Sequence, residues 1–248
     1  MKDISKEIRE YLLTEGASLV GFADLNGIDA AAKMGYRYGI SIAAALKPNI
    51  IAGIKKHPTF EYYEEYLRVN KLLDKLALSA EMFFKDRGIN AYALTSERVE
   101  VDEATRRSVL PHKTTATRAG MGWIGKCALL VNEEYGSAIR ITTVLTDYHL
   151  DTGSPVNESN CGKCEKCKEA CPAFAVLGLN WTYEMDRDSF FRALDCRKTA
   201  RDRASKINVE NSICGACIAA CPWTERYIYK HIDNSGGLIH ASSDNTCI

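Results

Sequence analysis

No stretch of this chain is apolar for long enough to cross a bilayer. Its opening residues, MKDISKEIREYLL, mix charge with hydrophobic side chains and lack the apolar run of a secretory signal. These absences predict no membrane partner and a cytoplasmic location. Neither sign of charge is in excess, with 32 Lys+Arg against 32 Asp+Glu. The overall balance therefore argues neither for nor against a nucleic-acid partner, and a local basic patch stays compatible with it. Low-complexity tracts are missing as well. With 46% hydrophobic residues among 248, the chain can bury a large core and accommodate one large domain plus a small one.

What the chain does have is cysteine, ten residues in all. One group reads Cys161-x2-Cys164-x2-Cys167-x3-Cys171-Pro172, and a second reads Cys214-x2-Cys217-x3-Cys221-Pro222, with Cys196 alone between them. The first is the bacterial ferredoxin pattern, in which three cysteines close on one 4Fe-4S cluster and the fourth reaches to the other. The proline fixes φ and removes an N–H where the wrap ends. Applied to both groups, the crossing rule gives Cys161, Cys164, Cys167 and Cys221 to one cluster and Cys171, Cys196, Cys214 and Cys217 to the other. The second group is then a repeat whose first cysteine has moved away to Cys196. Disulfides would need an oxidising compartment. Structural zinc prefers paired C-x-x-C knuckles and leaves both C-x3-C-P ends unexplained. Cys127 reads as a buried small hydrophobe and Cys247 as a tail residue.

Ahead of the cysteines the periodicity predicts a helix through Ile4, Ile8, Tyr11 and Leu12 ending at Gly16, and strands over residues 17–25 and 39–46. A long helix capped by Thr59 runs to Gly88, and a strand covers 89–94. CALLV and SAIRITTVLT (127–131 and 137–146) read as two strands linked by a Glu134-Tyr135-Gly136 turn, and 153–160 as a short linker. Gly120, Gly122 and Gly125 match G-x-G-x-x-G, but a helix-like stretch precedes them and a strand follows, the reverse of a dinucleotide fingerprint. Asp147-x-His149 lacks the glycine that a cobalamin-carrier motif places where Thr152 stands, so His149 reads as a surface residue at a strand end. Arg197, Lys198, Arg201, Arg203 and Lys206 read as a solvated helix face.

The succession ATRAGMGWIGKCALLVNEEYGS, LTDYHLD, CGKCEKCKEACP, Cys196 and CGACIAACPW resembles the epoxyqueuosine reductases, whose relatives include the iron–sulfur parts of reductive dehalogenases. The resemblance implies an α/β (α+β) cobalamin-binding domain of nitroreductase-like kind (residues 1–152), a ferredoxin-like double 4Fe-4S module (153–230) and a C-terminal tail (231–248). It implies two 4Fe-4S clusters and base-off cobalamin as cofactors. The residues matching the family's cofactor-side loop are Gly120, Gly122, Trp123, Gly125 and Lys126, followed by Tyr135, Gly136 and Ser137. It further implies a ferredoxin- or flavodoxin-type electron donor, and either tRNA or another corrinoid protein as partner. The family's helical-repeat extension has no counterpart before Ile248. Its Val-Asp-x-x-Pro stretch is echoed only by Val101-Asp102, upstream and without the proline. The proton-donor candidates are Asp102, His112, Lys113 and Tyr135. An electron-transfer protein that binds or reduces a corrinoid, without a tRNA substrate, is the alternative.

Overall fold

The computed structural model describes residues 3–232. The expected tail beyond Ile232, including Cys247, lies outside them. α1 (Ile4–Thr14) begins where the Asp3 carboxylate accepts the Lys6 N–H at 3.2 Å, and it buries Ile8 and Leu12. Gly16 follows it at φ +108°. β1 (Leu19–Asp24) and β2 (Tyr38–Ala45) come next, then α2 (Pro48–Ala52), with proline in its first turn. α3 (Phe60–Lys85) starts where the Thr59 hydroxyl accepts the Tyr62 N–H at 3.2 Å. β3 (Ala91–Leu94), α4 (His112–Arg118), β4 (Trp123–Ile124), β5 (Leu130–Val131) and β6 (Ile139–Thr146) complete the first 150 residues. Beyond them stand α5 (Lys166–Glu169), α6 (Ala193–Ser205), α7 (Ala216–Ala219) and α8 (Pro222–Ile232). Among the described residues no helix is long and apolar enough to cross a membrane.

The chain forms two compact units that no single cut separates. Residues 1–45, 68–122 and 139–156 make the first; 46–67, 123–138 and the chain from 157 onward make the second. The expected boundary at 152/153 lies close to the last crossing but omits the two earlier segments of the second unit. Gly153 and Val156 count with the first unit because their N–H groups pair with the Phe22 and Thr117 carbonyls, each at 2.9 Å. That segment is linker-like in composition, yet these two backbone donors are satisfied.

The first unit is built on a sheet of order β1-β2-β6-β3, antiparallel throughout. β2 is an inner strand covered on both faces, which is why GISIAAAL shows no alternation. A Cβ at Gly39 would come 2.7 Å from Thr115 Cγ2, so the missing side chain lets α4 lie on the sheet. The α3 stripe of Val69, Leu73, Leu76, Ala80 and Phe84 is buried, each large side chain contributing about 1.5–3 kcal/mol. Glu81 is the polar exception. Burial opposes its charge, yet hydrogen bonds from Lys85, the Ala93 N–H (2.8 Å) and Arg98 (2.6 Å) hold the carboxyl below its usual range.

Two expectations are corrected. The strand expected over 127–131 shrinks to Leu130–Val131, because Ala128 adopts φ +59° and its N–H closes a turn on the Gly125 carbonyl at 2.8 Å. That strand pairs with β4, whereas β6 is an inner strand of the first unit's sheet. The 134–136 turn exists, bridging Asn132 and Gly136, but does not fold β5 onto β6. The tail expected from Tyr227 is helical as far as Ile232, since Thr224, Tyr227 and Ile228 give α8 an apolar face. The Tyr227 hydroxyl anchors that face by donating to the Leu46 carbonyl at 2.9 Å.

Candidate metal centre

The two cysteine groups fold alike. α5 and α7 each begin one residue before a cysteine, Cys167 and Cys217, and are four residues long. Each ends with the same turn: Cys171 N–H to Lys168 O and Cys221 N–H to Ile218 O, both at 3.2 Å. A proline follows each turn, and Pro222 opens α8. Cys196 comes from the first turn of α6. Gly215, at φ +78°, has no room for a side chain: a Cβ would sit 2.3 Å from Ile54 Cδ1.

Cys161, Cys164, Cys167 and Cys221 line one cavity. Cys221 is raised above the ordinary thiol range, first by burial, and the nearby Cys161 and Cys167 add to this. Cys196 is pushed up to about 11 by burial and by Cys171 and Cys214 beside it. Cys217 and Cys196 pack against a buried cluster that contains Cys171, Ala175 and Val176. Among the described residues no three His, Cys, Asp or Glu donors converge on an ion-sized point. Thiols spread around a cavity suit the corners of a multi-atom cluster better than a mononuclear zinc site, and they are the donors that iron–sulfur clusters take. The donor set fits the group.

β4 and β5 form a short hairpin in this unit, with Trp123 opposite Val131 and Gly125 N–H bonded to Leu129 O at 2.8 Å. Its tip is buried: Lys126, Cys127 and Ala128 are 3%, 4% and 7% exposed. Lys126 and Cys127 line the four-thiol cavity. Cys127 packs against Cys167 and Cys217; Cys167 pulls its thiol down, but Cys217 and burial outweigh this and hold it well above the ordinary thiol range. It is buried in an apolar cluster, as a small hydrophobe was expected to be, and it also touches members of both cysteine sets. The signal available in the sequence was a charged residue and a ninth cysteine inside the apolar run GWIGKCALLV.

Of the loop residues assigned to cobalamin by resemblance, several make close contacts within their own units. A Cβ at Gly120 would meet Ser154 O at 2.7 Å, one at Gly125 Val131 Cγ2 at 2.8 Å, and one at Gly136 the Thr224 N at 2.2 Å. Gly122 has φ +150°. Ser137 N–H donates to Thr224 Oγ1 at 3.0 Å, Trp123 lies edge-on to Trp223 at 5.4 Å, and Tyr135 lies edge-on to Tyr227 at 5.2 Å. Gly120, Gly125 and Gly136 thus serve close approaches within their own units.

Asp102, His112 and Lys113 lie in the first unit and Tyr135 in the second. Asp102 is exposed and accepts from the Thr105 hydroxyl (2.6 Å) and N–H (2.7 Å), which hold its carboxyl low and ionised. His112 Nδ1 lies 3.1 Å from Thr143 Oγ1; burial first, then the Arg140 charge, push it down to about 4 against the pull of Asp74. It is a neutral imidazole at neutral pH. Lys113 is half-buried on α4. His149 is exposed just past β6, as expected, with its ring 5.4 Å from that of Tyr38. Of the basic stretch, Lys198, Arg201 and Lys206 are exposed on or just beyond α6.

Residues 160–224 match the 4Fe-4S double cluster binding domain family. An epoxyqueuosine reductase of Leadbetterella byssophila is 32% identical over 167 residues, 66% of this chain and 50% of the relative. A crystal structure of epoxyqueuosine reductase with a tRNA-Tyr epoxyqueuosine-modified stem loop superposes with TM-score 0.57 at 21% identity, covering 90% of this chain and 65% of that one. A reductive dehalogenase structure described for B12-dependent dehalogenation gives TM-score 0.64 at 18% identity, over 88% of this chain and 31% of that one. The chain spans about half the length of the curated relatives it matches. The mixed α/β fold is shared with both groups of structures, and the cysteine-rich segment is of the 4Fe-4S double-cluster type.

Proposed function

We propose that this chain, which resembles the epoxyqueuosine reductases in its cysteine-rich half and in its fold, is an iron–sulfur oxidoreductase that receives electrons singly from a ferredoxin- or flavodoxin-type donor. The observation that carries the reading is the cavity lined by Cys161, Cys164, Cys167 and Cys221 inside a segment of the double-cluster type. Those four residues hold one cluster, and Cys171, Cys196, Cys214 and Cys217 hold the other. When bound, the clusters supply one-electron storage in a low-dielectric site. The chain's own residues exclude water with Val131, Pro222 and Trp223 and aim N–H groups of residues 223 and 224 at the Cys221 sulfur.

The relatives extend the proposal to base-off cobalamin as electron acceptor, to a nitroreductase-like role for residues 1–152 and to a cytoplasmic reductase acting on a tRNA-borne epoxide. That extension rests on resemblance. The glycines at 120, 125 and 136 make close approaches within their own units, and no step is drawn through a corrinoid. The second reading, a protein that binds or reduces a corrinoid carrier without turning over tRNA, is favoured by Asp102. Its carboxylate is exposed, ionised and bonded to its own loop, which is unsuited to donating a proton.

The test is anaerobic reconstitution followed by iron analysis and incubation with cobalamin. About eight irons per chain are expected, and a value near four would break the assignment of the cysteines. Loss of the bound-base visible signature supports the corrinoid extension. Turnover of epoxyqueuosine-containing tRNA separates the reductase from the carrier.

A further inference from the structure

The buried hairpin tip carries a charge that the protein does not balance. Hairpin tips ordinarily face water, since polar backbone and side chains there need solvent. Here Lys126 is 3% exposed, and among the described residues no carboxylate stands within ion-pair distance of it. Lys126 instead lines the cavity of Cys161, Cys164, Cys167 and Cys221, and its charge acts on Cys167. An ammonium withdrawn from water is costly unless an anion compensates it. Neutral thiols offer no such compensation. A cubane held by four thiolates is a net anion, and it gains a further negative charge with each electron taken up.

We infer that Lys126 is the counter-cation of the cluster held by Cys161, Cys164, Cys167 and Cys221, and that it sets that cluster's reduction potential above the value the thiolates alone would give. The inference rests on the iron–sulfur reading proposed above. It gives Lys126 a task on the cluster side of the loop, where resemblance had assigned it to the corrin. The packing supports this direction: a Cβ at Gly125, the preceding residue, would lie 3.7 Å from the Cys161 sulfur. The backbone at residue 125 is thus seated beneath a cluster ligand, and the residue after it lines the same cavity. A cation beside a redox centre stabilises its reduced, more negative state, so the charge raises the potential.

The experiment compares the unaltered protein with K126Q and K126R, all reconstituted anaerobically, by iron analysis and by EPR-monitored redox titration of both clusters. In K126Q the midpoint of one cluster shifts to more negative potential, so that its reduced-to-oxidised ratio at a fixed potential falls roughly tenfold or more. The other cluster is unmoved, and K126R stays near the unaltered value. K126Q that fails to load one cluster while K126R loads both supports the same conclusion, because only the charge separates them. Unchanged midpoints in fully loaded K126Q, or equal shifts in K126Q and K126R, would overturn it. An unaltered protein that binds no iron would instead overturn the iron–sulfur reading beneath it.

Discussion

In the first unit a four-stranded sheet and the body of α3 bury Phe22, Ile40, Ile42, Leu76 and Phe84, and the main chain is satisfied by its own ladders. In the second, α5 and α7 are four residues long, the hairpin ladder has two pairs, and the buried side chains include thiols. Helices this short do not persist on propensity alone. The contrast is that the first unit rests on hydrophobic burial alone, whereas the second adds to a core that includes Phe190, Val209, Ile213 and Tyr227 two short cysteine turns whose order is expected to depend on what the thiols bind.

Anaerobic chelation of iron breaks that comparison most severely. Hydrogen exchange should show amide protection collapsing in residues 157–232 and around 123–138, while β1, β2, β6 and β3 keep theirs. Uniform protection before and after chelation would mean that the second unit stands without its metal.

Cys196→Ser acts on one ligand set only. Iron should fall from about eight to about four per chain, with Cys127→Ser retaining the full amount. Equal loss in both variants would make Cys127 a ligand and overturn the assignment of the two sets.

Two packing variants sharpen the contrast at smaller cost. Leu76→Ala opens a cavity in the first unit and should destabilise it by about 2–5 kcal/mol without altering iron content. Gly136→Ala puts a Cβ against the Thr224 backbone at a φ of +59° and should cost about 2–4 kcal/mol, with slower cluster loading because Thr224 follows Cys221 closely. Loss of iron in Leu76→Ala alone would show that the sorting of effects by unit is mistaken.

The first unit was legible in the sequence because hydrophobic period and caps act locally: Ile8 and Leu12 on α1, Thr59 before α3 and the apolar run of β2 all stand where the pattern put them. The cysteine groups were legible because their spacing is itself the wrap around a cluster. What the sequence did not disclose were contacts between distant segments, such as Ser137 with Thr224 and Cys127 with Cys167 and Cys217. A glycine needed for close approach to another backbone, as Gly136 is, reads the same as one that cradles a ligand. Ala128 at positive φ cut a strand short with no Gly or Pro to announce it.

The smallest expected effect belongs to His112 and is confined to the first unit. Its imidazole is pushed from 6.5 down to about 4 by burial and by Arg140, with Asp74 opposing. Between those values the unfolded chain binds a proton that the folded chain refuses, so stability rises with pH across that interval. The contribution is fully present above about 6.5 and is lost as pH falls toward 4, amounting to about 1–3 kcal/mol. Most carboxylates remain ionised down to about pH 5, so a window from 6.5 to 5 favours the histidines over the acids. Thermal melts of the first unit's sheet should drop across that window, and His112→Asn, which keeps a polar group near Thr143 but cannot titrate, should flatten the dependence. A slope that survives His112→Asn would assign it to another group.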